Sequence, residues 1–319
     1  MADQVQPRSE GEAIPDLHVD IIIPTLNEER TIGSLIEKIS NLKLPIQIST
    51  LVIDGGSSDN TVEICKKANV RTIRQRGKGK GRAMREAVEY SVADIIVFID
   101  GDGTYSTGDL DTLLDPLLSG EADMVVGSRL LGKREKGAIS GFNSLGNKLF
   151  NKTINFAMKT SVTDSLSGYR AFYRKTFMEL VLFSDSFEIE VEMTVEALAK
   201  GYRVLEVPIS YGLRRGTKTK LNPLDDGIKI GRTLMFILMN VNPLKFFGIV
   251  SLAFFVVGLY PGILVLYEKI STGNITSMPS VVFASLLFMG SAISLVIGIL
   301  SELVVASRRR LETIIMRTR

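Results

Sequence analysis

Hydrophobic and polar residues alternate along the first 220 residues in the pattern of an α/β protein. Short apolar runs that predict buried strands lie at 19–23, 48–53, 70–73, 95–99 and 124–126, and amphipathic helical patterns lie between them at about 30–41, 58–68, 80–91 and 107–118. This alternation predicts βαβ units and a mainly parallel sheet with helices on both faces. Because ligands of such sheets bind beyond the carboxyl ends of the strands, the polar residues at those ends are the candidate functional residues.

The C-terminal quarter has a different pattern. Residues 246–267 and 270–301 contain no charged side chain, and each stretch exceeds the roughly 20 residues that cross a bilayer as a helix. They predict two transmembrane helices in a hairpin, although a hairpin buried in a large core is the alternative. Basic residues precede the first span and Arg308, Arg309 and Arg310 follow the second, so the positive-inside rule places both ends and the N-terminal region in the cytoplasm.

A polar and apolar stripe before the first span predicts an amphipathic helix at 223–243, which could lie in the membrane interface or serve as a plain linker. The domain prediction is therefore a flexible tail at 1–17, a catalytic domain at 18–222, this interfacial helix, two membrane helices within 246–306 and a basic cytoplasmic tail at 307–319.

Composition narrows the function. The mean hydropathy of +0.20 is high for a soluble protein, and the two apolar stretches account for the excess. A formal net charge of +3 is too small to indicate nucleic acid as a partner. One cysteine, Cys65, and one histidine, His18, make a zinc site implausible.

Acidic residues follow three of the predicted strands. Glu28 comes after the first strand, Asp54 ends the second, and Asp100 and Asp102 follow the fourth in the stretch IDGDGTY. Four carboxylates at one sheet edge repel one another unless a cation or hydrogen-bond donors lie among them. Oxygen ligands select Mg²⁺ or Mn²⁺, and Mg²⁺ keeps coordination sites for phosphate oxygens, so Asp100 and Asp102 predict a metal site that holds a diphosphate.

Two other readings of these loops are weaker. A calcium-binding loop starting at Asp100 would need glycine at its sixth position, which is Tyr105. The segment RGKGKGRA at 76–83 lacks the spacing of a phosphate-binding loop, although Lys78, Lys80 and Arg82 stand at a predicted helix start and could contact phosphate, Lys78 being the chosen candidate. A flexible basic turn is the alternative for this segment.

Seven ordered motifs resemble those of family 2 glycosyltransferases of the polyprenyl-phosphate sugar synthase group. They are IIIPTLNEE, VIDGGSSDNT, GKGRAMREA, FIDGDGTY, VVGSRL, DSLSGYRAFYRK and EVPISYGLRRGTKTKLNPLDDG. The resemblance covers about 19–230 and implies a GT-A nucleotide-sugar-binding domain.

The resemblance also implies a role for each matching residue. The nucleotide would contact Pro24, Thr25, Asn27, Glu28, Asp54, Lys78, Asp100, Gly101 and Asp102, and the two last aspartates would hold Mg²⁺ or Mn²⁺. The acceptor phosphate would contact Arg129, Asn147, Asn151, Arg214 and Lys220. Asp102, Arg129 and Arg214 are the predicted catalytic residues, whereas Thr104 stands where mannose synthases often have a further metal ligand.

The implied reaction is inverting transfer of a hexose from a nucleotide diphosphate sugar to polyprenyl or dolichyl phosphate. UDP-glucose or UDP-N-acetylglucosamine is favoured over GDP-mannose because DGDGTY resembles the glucose-type relatives. Two other functions stay open, a processive membrane polysaccharide synthase and a catalytically idle nucleotide-binding protein. Glu188, Glu190 and Glu192 either include a catalytic carboxylate or are solvated acids at a helix start. Asp164 and Arg170 either pair structurally or contact the substrate.

Overall fold

The computed structural model describes residues 17–317 except for 136, 139–140, 187 and, apart from 235 and 239, 215–241. The predicted contact Lys220 and nearly all of the predicted interfacial helix lie outside the described residues. The described chain forms two compact units that divide near residue 233.

The N-terminal unit is built on one seven-stranded sheet in the order β3-β2-β1-β4-β6-β5-β7. The strands are β1 (His18–Thr25), β2 (Gln47–Asp54), β3 (Arg71–Arg74), β4 (Ile95–Phe98), β5 (Met124–Ser128), β6 (Arg170–Tyr173) and β7 (Val204–Pro208). Every neighbouring pair is parallel except those of β6, which runs antiparallel to both β4 and β5. The predicted mainly parallel sheet is confirmed.

Helices cover both faces of the sheet. They are α1 (Ile32–Ser40), α2 (Thr61–Lys67), α3 (Lys80–Tyr90), α4 (Leu110–Leu118), α5 (Gly141–Met158), α6 (Arg174–Glu179) and α7 (Ile189–Ala199), with a 3₁₀ turn at Thr107–Asp109 before α4. Alternate strand residues face opposite cores: Ile21 and Ile23 pack with α1 and α4, whereas Ile22 packs with α3 and α7. The period of two therefore produces two hydrophobic cores, one on each face.

The parallel register brings the chemically interesting strand ends together. Thr25 at the end of β1 pairs with Asp54 at the end of β2, and Ile22 pairs with Phe98 in β4. Beyond these ends, the backbone N–H of Gly55 donates to the carbonyl of Thr25 at 2.8 Å. The loops after β1, β2 and β4 consequently share one edge of the sheet.

The C-terminal unit contains two long apolar helices, α8 (Pro243–Thr272) and α9 (Met278–Arg317). Their apolar portions, Pro243–Thr272 and Met278–Ser307, have mean hydropathies of 2.4 and 2.3 and are long enough to cross a membrane. The helices pack through small residues: Ser251 Oγ donates to the carbonyl of Ser291 at 2.8 Å, and Gly258 lies against Leu287. Most of their large apolar side chains are exposed, which suits a lipid environment.

Candidate active site

The loops after β1 and β2 are fastened to each other. Asn27 has a positive φ of 59°, and its side-chain oxygen accepts the N–H of Ser58 at 2.8 Å. Its own backbone N–H donates to Ser57 Oγ at 2.9 Å. The buried carboxylate of Asp54 accepts the N–H of Gly56 at 2.9 Å and the hydroxyl of Ser57 at 2.5 Å. Asn27 and Asp54 thus shape the predicted nucleotide-binding edge through contacts within the protein.

Asp100 and Asp102 follow β4 and flank Gly101. Thr104 donates to Asp102 Oδ1 through its hydroxyl at 2.7 Å and through its N–H at 3.1 Å. A side chain at Gly101 would place a Cβ 2.9 Å from Cγ2 of Thr25, so this loop lies tightly against the end of β1. Thr104, which stands where mannose synthases often have a further metal ligand, therefore orients Asp102 through hydrogen bonds.

Arg214 joins two of the predicted acidic residues. Its Nη2 donates to Glu28 Oε1 at 2.7 Å, and its Nε lies 3.6 Å from Asp102 Oδ2. Burial raises the pKa of Glu28 above its ordinary value, with Arg214 opposing the shift. Burial and the neighbouring charge of Asp100 likewise raise the pKa of Asp102. Net negative charge is therefore crowded at this edge even with Arg214 present.

A second cation lies on the other side of Asp100. Lys80, the first residue of α3, has its Nζ 2.5 Å from Asp100 Oδ1 and 2.6 Å from Glu190 Oε1. Burial alone would lower the pKa of Lys80, but the two carboxylates raise it above its ordinary value. Lys78, the basic residue predicted to contact phosphate, is exposed two positions earlier.

Arg129 forms a bidentate ion pair with Asp164. Its Nε and Nη2 donate to the two carboxylate oxygens of Asp164 at 2.8 and 2.7 Å. Its guanidinium also lies over the ring of Tyr211, with 5.3 Å between Cζ and the ring centroid. Asp164 is fully buried, and Asn147 Nδ2 donates to it at 2.9 Å. This geometry fixes the plane of the Arg129 guanidinium at the end of β5.

Asn151, a predicted acceptor contact, holds the loop that carries Asp164. Its side-chain oxygen accepts the N–H of Ser165 at 3.0 Å and the hydroxyl of Ser165 at 2.7 Å, and its amide donates to the carbonyl of Thr163. Among the described hydrogen bonds, Asp164 and Arg170 do not form the structural pair that the sequence suggested. Arg170 is buried and donates to the carbonyls of Ser165 and Ser167 and to Thr194 Oγ1, and burial lowers its pKa to about 10.

The structure brings most of the predicted residues to one edge and adds others. Pro24, Thr25, Glu28, Asp54, Gly101 and the two aspartates share the edge at the ends of β1, β2 and β4, and Arg214 joins them through Glu28. The sequence did not predict that Lys80 pairs with Asp100 and Glu190, or that Gly168 lies against Asp100. The interpretation of Glu190 and Glu192 as solvated residues at a helix start is wrong, because both side chains are buried. Glu190 forms an ion pair with Lys80, and Glu192 accepts the N–H of Phe183.

The aspartate pair fits a divalent cation. Hard carboxylate oxygens of Asp100 and Asp102 stand one residue apart at a sheet edge. Burial and, after it, the charge of Asp100 raise the pKa of Asp102, and a bound cation would offset both. Among the described residues, no group of three or more acidic, histidine or cysteine side chains forms a complete cage. Two protein ligands leave room for diphosphate oxygens, the arrangement that Mg²⁺ commonly adopts.

A seven-stranded α/β sheet with an Asp-x-Asp pair beyond a central strand defines the class of GT-A nucleotide-sugar transferases. The model of the family "Glycosyl transferase family 2" matches residues 20–181. The chain belongs to this family and is a glycosyltransferase, which confirms the resemblance noted in the sequence.

Curated relatives and solved structures agree with this assignment. The chain is 38% identical over 293 residues to glycosyltransferase AglJ of Haloferax volcanii, covering 91% of this chain and 95% of that protein. It is 32% identical to a dolichyl-phosphate hexose transferase of the same organism, over 67% of this chain and 91% of the relative. A glucosyl-3-phosphoglycerate synthase from Mycobacterium tuberculosis, solved with Mn²⁺, UDP and phosphoglyceric acid, has a TM-score of 0.55 and 23% identity over 70% of this chain and 78% of that one. This structural likeness shows the GT-A fold.

Proposed function

We propose that this protein transfers a hexose from a nucleotide diphosphate sugar to a polyprenyl or dolichyl phosphate, with inversion at the anomeric carbon. The observation that carries the proposal is the state of the carboxylates around the site. Glu28 is paired with Arg214, Asp164 with Arg129 and Glu190 with Lys80, while Asp54 accepts donors of its own loop. A hydroxyl acceptor needs a general base, and each of these four carboxylates is already engaged by a cation or by hydrogen-bond donors on at least one oxygen.

A phosphate acceptor avoids this requirement. Its second pKa is about 6, so it is largely dianionic near neutral pH and attacks without giving up a proton. An oxygen of the lipid phosphate forms the new bond to the anomeric carbon, the bond from that carbon to the nucleoside diphosphate breaks, and the electron pair leaves with the diphosphate. Direct displacement inverts the configuration, so an α-linked donor gives a β-linked lipid product.

The chain's own residues would hold the two anionic substrates together. Asp100 and Asp102 would hold Mg²⁺ or Mn²⁺, which stabilises the negative charge that develops on the leaving diphosphate. Arg129, whose orientation is fixed by Asp164, and Arg214, which pairs with Glu28, would offset phosphate charge. Positioning of two like-charged substrates is the larger part of the catalytic task.

A basic cleft beside the aspartates suits an anionic acceptor. The cavity has a volume of about 730 Å³ and includes Gly103 and Thr104 in its wall. Among the described residues that line it, Arg30, Lys38, Lys133 and Arg134 are basic and Glu135 is acidic. The Oε2 atom of Glu135 already accepts the N–H of Leu213 at 2.9 Å, so the lining favours a ligand that bears negative charge.

The membrane hairpin supports a lipid-borne acceptor. Two helices of sufficient length and hydropathy follow the catalytic unit, and anchoring would concentrate a polyprenyl phosphate beside the site. A cytoplasmic catalytic domain is proposed from the basic residues that flank the spans. The relative named dolichyl-phosphate hexose transferase supports the same substrate class.

The donor is tested by competition. Full-length protein in detergent, with dolichyl phosphate and excess Mn²⁺, receives UDP-glucose, UDP-N-acetylglucosamine and GDP-mannose at equal concentration, and the lipid products are separated. We expect glucose or N-acetylglucosamine in the lipid product. A product formed mainly from GDP-mannose would overturn the donor assignment but leave the lipid-phosphate acceptor intact.

A further inference from the structure

A buried carboxylate that the proposed reaction does not use lies near the site. Glu190 is 2% exposed, and its Oε2 atom has no hydrogen-bond partner among the described residues. Burial raises the pKa of Glu190 above its ordinary value, although the charge of Lys80 opposes the shift. Buried charged groups are retained only where something offsets their desolvation.

The partner of Glu190 leads directly to a proposed metal ligand. Lys80 Nζ lies 2.6 Å from Glu190 Oε1 and 2.5 Å from Asp100 Oδ1, so one ammonium joins both carboxylates. The Lys80 side chain is 11% exposed, and therefore water screens these charges only weakly. Gly168 packs directly against Asp100 and Lys80. A Cβ at this position would lie 2.8 Å from Asp100 Oδ2 and 2.9 Å from Lys80 Nζ.

Charge counting shows what Glu190 contributes. With Lys80 alone, the Asp100 carboxylate would belong to a neutral ion pair, and an incoming divalent cation would meet the full charge of Asp102 only. With Glu190 present, Lys80, Asp100 and Glu190 sum to one negative charge, and the buried guanidinium of Arg170 acts on Glu190 as an additional fixed positive charge. Lys80 can then hold Asp100 in one orientation without cancelling the charge that attracts the metal.

We propose that Glu190 is a positioning residue that neutralises Lys80, so that Asp100 is held rigidly yet keeps its negative charge for the divalent cation. The inference rests on the metal site of the proposed function but not on its donor or acceptor.

Metal affinity tests the proposal without any turnover. Mn²⁺ alone is titrated into full-length protein in detergent, and free Mn²⁺ is followed by electron paramagnetic resonance. We expect Glu190→Gln to weaken Mn²⁺ binding by about tenfold, because it removes one negative charge from the weakly screened group that holds Asp100. Glu192→Gln is the matched control, because Glu192 lies on the same helix, is buried and accepts the N–H groups of Phe183 and Ser184 instead of Lys80. It should bind Mn²⁺ within about twofold of the unaltered protein.

The double variant Lys80→Met/Glu190→Gln distinguishes charge balance from packing. It removes both charges, so we expect Mn²⁺ affinity to return to within about threefold of the unaltered protein. Thermal unfolding of each variant confirms that it is folded. An unchanged affinity in Glu190→Gln, or a double variant as weak as Glu190→Gln, would overturn the proposal. Absence of Mn²⁺ binding by the unaltered protein, both alone and in the presence of UDP, would instead refute the metal site itself.

Discussion

Replacing Gly168 with alanine should damage catalysis while sparing the fold. A Cβ built at Gly168 lies 2.8 and 2.9 Å from the carboxylate oxygens of Asp100 and 2.9 Å from Lys80 Nζ, whereas ordinary contacts begin at 3.4 Å. The Asp100 carboxylate and the Lys80 ammonium must therefore move by roughly half an ångström, and catalytic groups tolerate about that much before function suffers. Gly168 does not have a positive φ, so alanine adds no backbone strain.

Gly168→Ala should lower the stability only modestly but lower the transfer rate strongly. Overpacking costs about 1–3 kcal/mol, and replacing glycine with alanine returns about 0.4–1 kcal/mol through the unfolded chain, so the net loss of stability should be about 0–2.5 kcal/mol. Misplacing a catalytic group by a fraction of an ångström to 1 Å lowers the rate by about 10- to 100-fold. We expect that loss in the initial rate of transfer to dolichyl phosphate, together with a higher Mn²⁺ requirement.

Gly108→Ala supplies the control. Gly108 follows the same aspartates, and its Cβ would meet only Ser106 Oγ at 3.4 Å, an ordinary contact. Its transfer rate should stay within about twofold of the unaltered protein, since no catalytic group moves. A folded Gly168→Ala protein with an unaltered rate and Mn²⁺ requirement would refute the geometry described for Asp100 and Lys80.

Three further predictions concern the aspartates, the basic cleft and the catalytic unit. Asp102→Asn should abolish transfer yet be at least as stable as the unaltered protein in chelator at pH 7, measured by thermal unfolding. The folded-state pKa of Asp102 lies above the ordinary 3.8, so its stabilising contribution is lost as pH rises through the window between 3.8 and that raised pKa, and the advantage of Asn should shrink toward pH 4; an advantage that grows on acidification would contradict this sign. Lys133→Ala/Arg134→Ala should raise the KM for dolichyl phosphate by about tenfold and leave the KM for the donor nearly unchanged, because two cations are lost from the proposed acceptor cleft. An equal effect on both KM values would show that the acceptor does not bind in this cleft. Residues 1–222 alone should fold and bind the nucleotide sugar in calorimetry, since the strand-end loops all lie there, and a folded fragment without binding would refute the predicted domain boundary.

The first half of the fold could be read from the sequence because its strands are continuous apolar runs. The runs at 19–23, 48–53 and 95–99 became β1, β2 and β4, and their period of two faces the two cores that the structure shows. The polar residues at the carboxyl ends of these strands lie at one edge of the sheet, because the strands pair in parallel. β6 was not predicted, because it is four residues long and begins with the buried Arg170, whose partners are loop carbonyls.

The ion pairs of the site could not be predicted from sequence. Lys80 and Glu190, like Arg129 and Asp164, come from distant segments that only the folded sheet brings together. An acidic residue at the start of a helix is normally solvated and interacts favourably with the helix dipole. The position of Glu190 therefore predicted exposure, whereas its side chain is buried. The sequence indicated Lys80 only as a basic residue at a helix start that could contact phosphate.

Transfer to a phosphorylated lipid and to its unphosphorylated counterpart tests the central claim most directly. Membranes containing the full-length protein receive labelled UDP-glucose, UDP-N-acetylglucosamine or GDP-mannose in separate reactions, with dolichyl phosphate, dolichol or 3-phosphoglycerate as the acceptor. The account predicts Mn²⁺- or Mg²⁺-dependent label in organic-soluble lipid with dolichyl phosphate from at least one donor, none with dolichol, and none in water-soluble glycoside. Label transferred to dolichol or 3-phosphoglycerate in preference to dolichyl phosphate would contradict it.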